Sequence, residues 1–330
     1  MPNQSLTIVD LAVETGLSKT TVADALRGSG RVSEQTRHRV QEAASKLGYV
    51  SNRAARQLRT SASTSLGLYI SPDVRNMSFY MPFAFGAADE AARLNYDLTL
   101  LARQTTAAES WNHLGGAVVV DVLPEDPVAV SLLQSKVPVI SAGRLSGPES
   151  SAVRGVVEID HKRMCAELLD CLARNGATRP ALLAPASRDT YSWARQIRQG
   201  YTEWCNRRNL QPIIETLDSF PDAKALEGAL LRPLDEECDA FLFGWQDLAE
   251  RAELVLGTAG YQIGSDIHFG SFSNRSDGTQ YGKYAATLDL RPREFGAASI
   301  RMLSEIVANP DGPTRFERHD AVLHTNDAGH

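Results

Sequence analysis

From Ser65 onward the chain alternates short apolar runs with amphipathic stretches. The runs LGLYI, DLTLL, GAVVV, PVIS, GVVEI, PALLA, AFLFG and IHFGSF predict strands, most of them too uniformly apolar to expose a face to water. Between them, segments such as YMPFAFGAADEAARLN and KRMCAELLDCLARNG repeat their apolar positions at helical spacing. Parallel strands covered on both sides by crossover helices account for this pattern. The order predicts two doubly wound α/β units, at 62–159 and 160–288, with the tail weaving back between them.

The first sixty residues follow a different pattern, one of three short helices. Thr7 and Asp10 have the spacing of a capping box, Ile8, Leu11 and Ala12 supply an apolar face through Thr15, and Gly16 breaks the helix. Ser18 caps a second helix with Val22, Ala25 and Leu26 inward and Gly28 at its end. Ser33 opens a third, with Val40, Ala43, Ala44 and Leu47 inward and Gly48 as its stop. Two helices joined by a glycine turn, with a third completing the core, form a helix-turn-helix pattern. The expected organisation is a head at 1–50, a hinge or linker at 51–61 and a two-lobed body at 62–330.

Charge sharpens this division. Residues 1–60 hold nine Lys and Arg against five acids, a balance of +4, and the rest of the chain carries −10 of the total −6. A basic head on an acidic body is the footprint of a nucleic-acid-binding module. With Val22, Ala25 and Leu26 inward, Lys19, Thr20, Asp24 and Arg27 face outward at the helix expected to enter the major groove. Lys19 donates to guanine acceptors, Thr20 reads a base edge or a thymine methyl, and Asp24 accepts, as from a cytosine amino group. Thr7, Ser18, Thr21, Ser33 and Thr36 stand at helix starts, where hydroxyls and N–H groups hold phosphates.

Other chemistry is scarce. Cys165, Cys171, Cys205 and Cys238 lack the paired spacing of a zinc site, and four cysteines in 330 residues make no disulfide framework, so they are expected as reduced core residues. No metal or cofactor is expected. No apolar run reaches the roughly 18 residues needed to span a bilayer, and no secretion signal opens the chain, so a cytoplasmic location is expected. Asp73, Asp160 and Asp247 are carboxylates that an enzyme could gather in a cleft. No phosphate loop, nucleophile elbow or metal-ligand cluster accompanies them, and His161 beside Asp160 reads as a helix-start pair, so no enzyme is expected. A secreted binding protein would have no helix-turn-helix, and an architectural DNA-bending protein would have no use for the large body.

The stretch TIVDLAVETGLSKTTVADALRGSGRVSEQTRHRVQEAASKLGYVSNRAARQL resembles the DNA-binding head and hinge of the lactose-repressor (LacI/GalR) family of bacterial transcription regulators. The resemblance is dense over 7–60 and diffuse beyond, with the turn glycine, Tyr49, Asn52 and Leu58 in register. It implies a repressor that binds a palindromic double-stranded operator as a homodimer, associated with the nucleoid when bound. It also implies that paired hinges carrying Asn52, Ala55, Arg56 and Leu58 fold on the DNA, with Leu58 wedged into a central minor-groove step. Asp24 and Arg27 depart from the residues usual at their positions.

For the body, the resemblance implies the periplasmic-binding-protein type of two-lobed sensor with its effector in the cleft. YAATLDLRPREFGAASIRML resembles the family's crossover strand and following helix, which assigns 291–320 to the first lobe and 321–330 to the second. Matched by position, SPDVRNMSFY brings Ser71 and Phe79 to the pocket, VVEIDHKR brings Asp160, and YSWARQIRQGY brings Tyr191, Trp193 and Arg195. FGWQDLAERA supplies Trp245 and Gln246, GSFSNR supplies Ser273 and Asn274, and Phe220 joins them. Ile197 stands where an Arg is common, Trp245 and Gln246 where an Asn-Asp pair is usual, and Ser273 and Asn274 where paired acids are usual. The expected effector is a small metabolite, either a carbohydrate derivative or an aromatic or nucleoside-like molecule, with Asp160 and Gln246 to set its polarity. No heptad repeat follows Val322 to add a coiled coil.

Overall fold

The computed structural model describes residues 7–27, 32–47, 49, 63–102, 111–186, 191–218, 220–245, 248–273 and 283–326, excluding the side chains of Arg27 and Ser273. These fall into two compact units, Met1–Ala62 and Ser63–His330.

The first unit holds α1 (Ile8–Thr15), α2 (Lys19–Arg27) and α3 (Glu34–Leu47). At the start of α1 the Asp10 carboxylate accepts from the Thr7 N–H at 2.7 Å and from its hydroxyl at 2.8 Å. These bonds hold the Asp10 carboxyl below its usual range. Gly16 ends the helix with φ 63°, the left-handed conformation that a side chain disfavours. Ser18 Oγ then accepts the Thr21 N–H at 3.1 Å, and Ser33 Oγ repeats the arrangement with the Thr36 N–H at 3.3 Å. Leu11, Ala12, Val22, Ala25 and Val40 are the buried centre, with Leu26, Ala43, Ala44 and Leu47 packed around them.

The second unit contains two six-stranded sheets. The first has the order β11-β5-β4-β3-β1-β2, built from β1 (Ser65–Ile70), β2 (Asp97–Leu100), β3 (Gly116–Val120), β4 (Val139–Ala142), β5 (Gly155–Glu158) and β11 (Arg315–Arg318). All of its pairs are parallel. Side chains alternate across it as the period of a strand requires. Leu66 and Leu68 of β1, Val118 and Val120 of β3 and Ile140 of β4 enter one apolar cluster, which includes residues of α4 (Tyr80–Arg93) and α10 (Pro292–Ala308). Tyr69, Ala117, Val119 and Val139 point to the other face, onto Val128, Ala129 and Leu132 of α5 (Pro127–Leu133).

The second sheet has the order β12-β10-β9-β8-β6-β7, from β6 (Pro180–Pro185), β7 (Ile213–Leu217), β8 (Ala240–Phe243), β9 (His268–Ser273), β10 (Ala286–Asp289) and β12 (Val322–Thr325). It is parallel except for β12, which runs against β10 with Ala286 opposite Thr325. Its helices are α6 (His161–Arg174), α7 (Ser192–Arg207), α8 (Ala223–Asp235) and α9 (Leu248–Thr258). The four cysteines are free and buried, as read from their spacing. The fold is therefore a helical head with two doubly wound α/β subdomains.

Four strands escape the apolar-run reading, and of these only β10 was expected, as the crossover strand that the resemblance implies. β7 is only partly buried, and all four residues of β11 are exposed, because both are edge strands without two covered faces. β12 is short and also lies at an edge.

Helices α4 and α10 cross at backbone contact. A Cβ on Gly86 would lie 1.9 Å from the Arg293 carbonyl oxygen, and one on Gly296 would lie 2.1 Å from that of Phe83. Gly296→Ala therefore forces the helices apart, with an expected loss of about 2–3 kcal/mol of stability in chemical denaturation. A loss below about 0.5 kcal/mol would contradict so close a crossing.

Candidate functional site

In the head, Lys19 and Thr20 are exposed on the first turn of α2, and Asp24 is half-buried one turn later. Arg27 ends the helix, its side chain outside the described residues. Ser18 and Ser33 are exposed, and each hydroxyl also lies 2.8 Å from that of Thr21 or Thr36. The two helix starts thus present hydroxyl pairs whose remaining capacity faces outward. Thr7 is tied to Asp10, so its phosphate role would compete with a carboxylate already in place. Tyr49 packs against the head core, its N–H donating to the Ala44 carbonyl at 2.8 Å. Its ring is a support for α3 as much as an outward reader. Asn52, Ala55, Arg56 and Leu58 lie outside the described residues.

In the body, a narrow cavity with about 40 Å³ of water-accessible interior lies at the carboxyl ends of both sheets. Each wall follows from a strand ending there. Asp121 comes directly after β3, Glu158 ends β5, His161 starts α6, Ser192 and Trp193 start α7, and Trp245 follows β8. Phe272 of β9, Leu290 beyond β10 and Phe295 in the first turn of α10 close the far side. Met77 and Phe79 enter from the loop before α4 and Tyr80 from its first residue, where Phe79 meets Tyr80 edge-on at 5.1 Å.

The cavity's polar groups are buried and specifically arranged. Tyr80 donates its hydroxyl to Asp121 Oδ2 at 2.7 Å. Burial pushes the Asp121 carboxyl up to about 7, against a smaller opposing effect of that bond. Glu158 accepts two bonds from Arg144, at 3.0 and 2.8 Å, which neutralise its charge. His161 donates from Nδ1 to the Ile159 carbonyl at 3.1 Å, and burial lowers its pKa to about 4, so the ring is neutral with Nε2 as an acceptor. The buried Trp193 Nε1–H faces the Tyr80 oxygen, an interaction that lowers the Tyr80 pKa against the larger effect of burial.

Of the residues expected here, Phe79, Trp193 and Trp245 line the cavity, as does Ile197. Five others do not. Asp160 caps α6, accepting the Arg163 N–H at 3.1 Å, and pairs with Arg318 at 3.2 Å, so its carboxylate turns back to the helix start. Arg195 lies two residues beyond Trp193 on α7 and donates to Ser146 Oγ at 3.0 Å. Phe220 is 58% exposed, away from the cavity. Ser71 is a buried turn residue whose carbonyl accepts from Val74 and Arg75. Tyr191 stands behind the wall, stacked on Trp193 at 6.1 Å with its hydroxyl 3.4 Å from Asp73. Gln246, Asn274 and the Ser273 side chain lie outside the description. The lining also includes Asp121, Tyr80, Glu158, His161, Ser192, Gln196 and Phe295, none of which the sequence reading named for the pocket. The signal for Asp121 and Glu158 was positional, since each is the first charged residue at the end of a buried strand.

The head matches the family described as bacterial regulatory proteins, lacI family, over residues 7–52, and residues 169–324 match a periplasmic binding protein-like domain. The chain is 26% identical over 319 residues to catabolite control protein A of Priestia megaterium, covering 91% of this chain and 92% of that protein. Its fold resembles that of the lac repressor dimer bound to operator and the anti-inducer ONPF, with a TM-score of 0.79, 20% identity and 97% and 98% of the two chains covered. The transcriptional regulator CelR in its cellobiose complex aligns with a TM-score of 0.67 at 19% identity, over 98% and 100%.

The buried acid makes stability depend on pH. A carboxyl raised to about 7 binds its proton more tightly in the folded than in the unfolded chain, so its contribution is complete below about pH 4 and lost as pH rises through 7. Asp121→Asn removes that loss. The variant's melting temperature relative to wild type is expected to rise between about pH 5 and about pH 8, and a constant difference would count against an elevated Asp121.

Proposed function

We propose that the chain, whose head matches the lacI family of bacterial regulatory proteins and whose body matches a periplasmic binding protein-like domain, is a ligand-responsive repressor of that family and not an enzyme. It acts as a cytoplasmic homodimer on a palindromic operator, with a small metabolite in the cavity as effector. The observation that carries this reading is the cavity itself. A helix-turn-helix head is joined on one chain to a body whose two sheets end at a single aromatic-lined, polar-centred space. Such a space is a sensor's site, and its aromatic walls suit the flat C–H face of a sugar ring or an aromatic or nucleoside-like ring. CelR, whose fold is similar, is seen with cellobiose.

On the DNA side, exposed Lys19 and Thr20 and the +4 head support groove entry by α2. Leu58 is the candidate wedge, on sequence grounds. Selection of bound duplexes from a random library by the full chain is expected to yield a two-fold symmetric site whose affinity falls steeply with salt. Failure to enrich any symmetric site would sink the operator reading. In the same assay Asp24→Asn should change preference at one base pair per half-site by about 1–3 kcal/mol. An unchanged profile would remove Asp24 from base reading.

On the ligand side, Trp245→Ala should weaken effector response at least tenfold while effector-free operator affinity stays within twofold. Normal response in a folded Trp245→Ala protein would take the tryptophan out of the site.

A further inference from the structure

We propose that the effector is an organic cation, a compact ring-bearing molecule whose protonated amine seats on Asp121 while its body lies among the aromatic side chains of the cavity. This rests on the reading of the cavity as the effector site and deepens it by naming the ligand's charge.

The argument is one of charge balance. Among the described residues lining the cavity, none is Lys or Arg. Two are acids, and their situations differ. Glu158 is held on both oxygens by Arg144, so its charge is already met. Among the described residues, Asp121 has only the Tyr80 hydroxyl, on Oδ2. Its Oδ1 points across the left-handed Gly143, where an added Cβ would lie 2.8 Å from that oxygen and 3.5 Å from Ser192 Oγ. The missing side chain at 143 leaves room for the Asp121 carboxylate against that backbone.

The other groups near Asp121 add no positive charge. His161 is neutral and offers the acceptor Nε2, because its Nδ1–H is spent on the Ile159 carbonyl. Tyr80 and Tyr191 are phenols held above their ordinary range by burial, and Asp73 beside Tyr191 is a further acid. The rings of Tyr80, Trp193, Trp245 and Phe272 present the electron-rich faces that attract cations. A buried carboxylate without a cationic partner is costly, and the elevation of Asp121 to about 7 registers that cost. A ligand ammonium would cancel it. The N-terminal ends of α6 and α7 also face this space and favour negative charge, but Asp121 already supplies it. A second anion would lie against the carboxylate.

The shared chemistry, an amine on a ring, fits an amino sugar or an aryl alkylamine, and matched pairs separate them. Full-length protein is titrated calorimetrically with glucosamine and glucose, with 2-phenylethylamine and 2-phenylethanol, and with phenylacetate. In at least one pair the amine is expected to bind at least tenfold tighter than its neutral partner, and Asp121→Asn should abolish that preference. For 2-phenylethylamine, affinity should rise about tenfold from pH 6 to pH 8 as Asp121 ionises, a readout on the wild-type protein that does not depend on how the variant folds. The responding pair identifies the source. The proposal is overturned if neither amine binds, if glucose, 2-phenylethanol or phenylacetate binds as tightly as the amines, or if Asp121→Asn keeps the preference. A neutral or anionic probe that binds wild type and is lost in Trp245→Ala would overturn the cation while leaving the effector cavity standing.

Discussion

The chain passes between the two sheets three times, and the passages are fastened to one another at His319. Its N–H donates to the Glu158 carbonyl at 2.9 Å, where β5 leads to α6. Its Nε2–H donates to the Leu290 carbonyl at 3.2 Å, where β10 leads to α10. The ring stacks on Phe295 at 4.9 Å and 10°. Burial lowers its pKa, which keeps it in the neutral form that stacks without needing a counter-ion. Because Glu158, Leu290 and Phe295 are themselves cavity walls, this junction fixes the far side of the cavity. The tight α4–α10 crossing continues the same constraint, carrying Phe295 against Phe83 at 5.3 Å and Phe79 at 6.2 Å.

Periodicity made the interior of the fold legible and left its margins dark. Runs such as GAVVV and AFLFG are strands because both faces are covered, and burial on both faces removes polar residues from the sequence itself. β11, with the sequence RFER, has no covered face to enforce such a pattern, and only its parallel pairing with β5 makes it a strand. The helix caps were legible for a local reason. Ser18 and Ser33 bond to residues three positions on, so the signal and the contact occupy the same few residues.

The cavity was legible by family position and illegible by chemistry. Asp160 and His161 are adjacent, yet the first turns back to cap α6 and the second enters the cavity. A single backbone turn separates these fates, and no composition rule distinguishes them. Trp193 and Trp245 do line the cavity, since both combine bulk with placement at a helix start or a strand end. Asp121 was hidden by its own context, a lone acid after five apolar residues that reads as the start of an ordinary loop. Its φ of 44° is a conformation that Asp tolerates better than most side chains, and it directs the carboxylate toward Tyr80.

Two acids at the ends of neighbouring regions of one sheet thus meet burial in opposite ways. Glu158 recruits Arg144, whose guanidinium is more than half exposed, so the pair extends its charge to water and stands complete without a ligand. Asp121 recruits a phenol, which supplies a hydrogen bond but no charge. A neutral donor leaves the electrostatic cost of the carboxylate in place, and that cost rises as the surrounding rings exclude water. Such a residue weakens the fold on its own account. Its position in the cavity makes sense where the missing charge arrives with a bound molecule, so that an unfavourable feature of the empty site becomes selectivity for the ligand that relieves it.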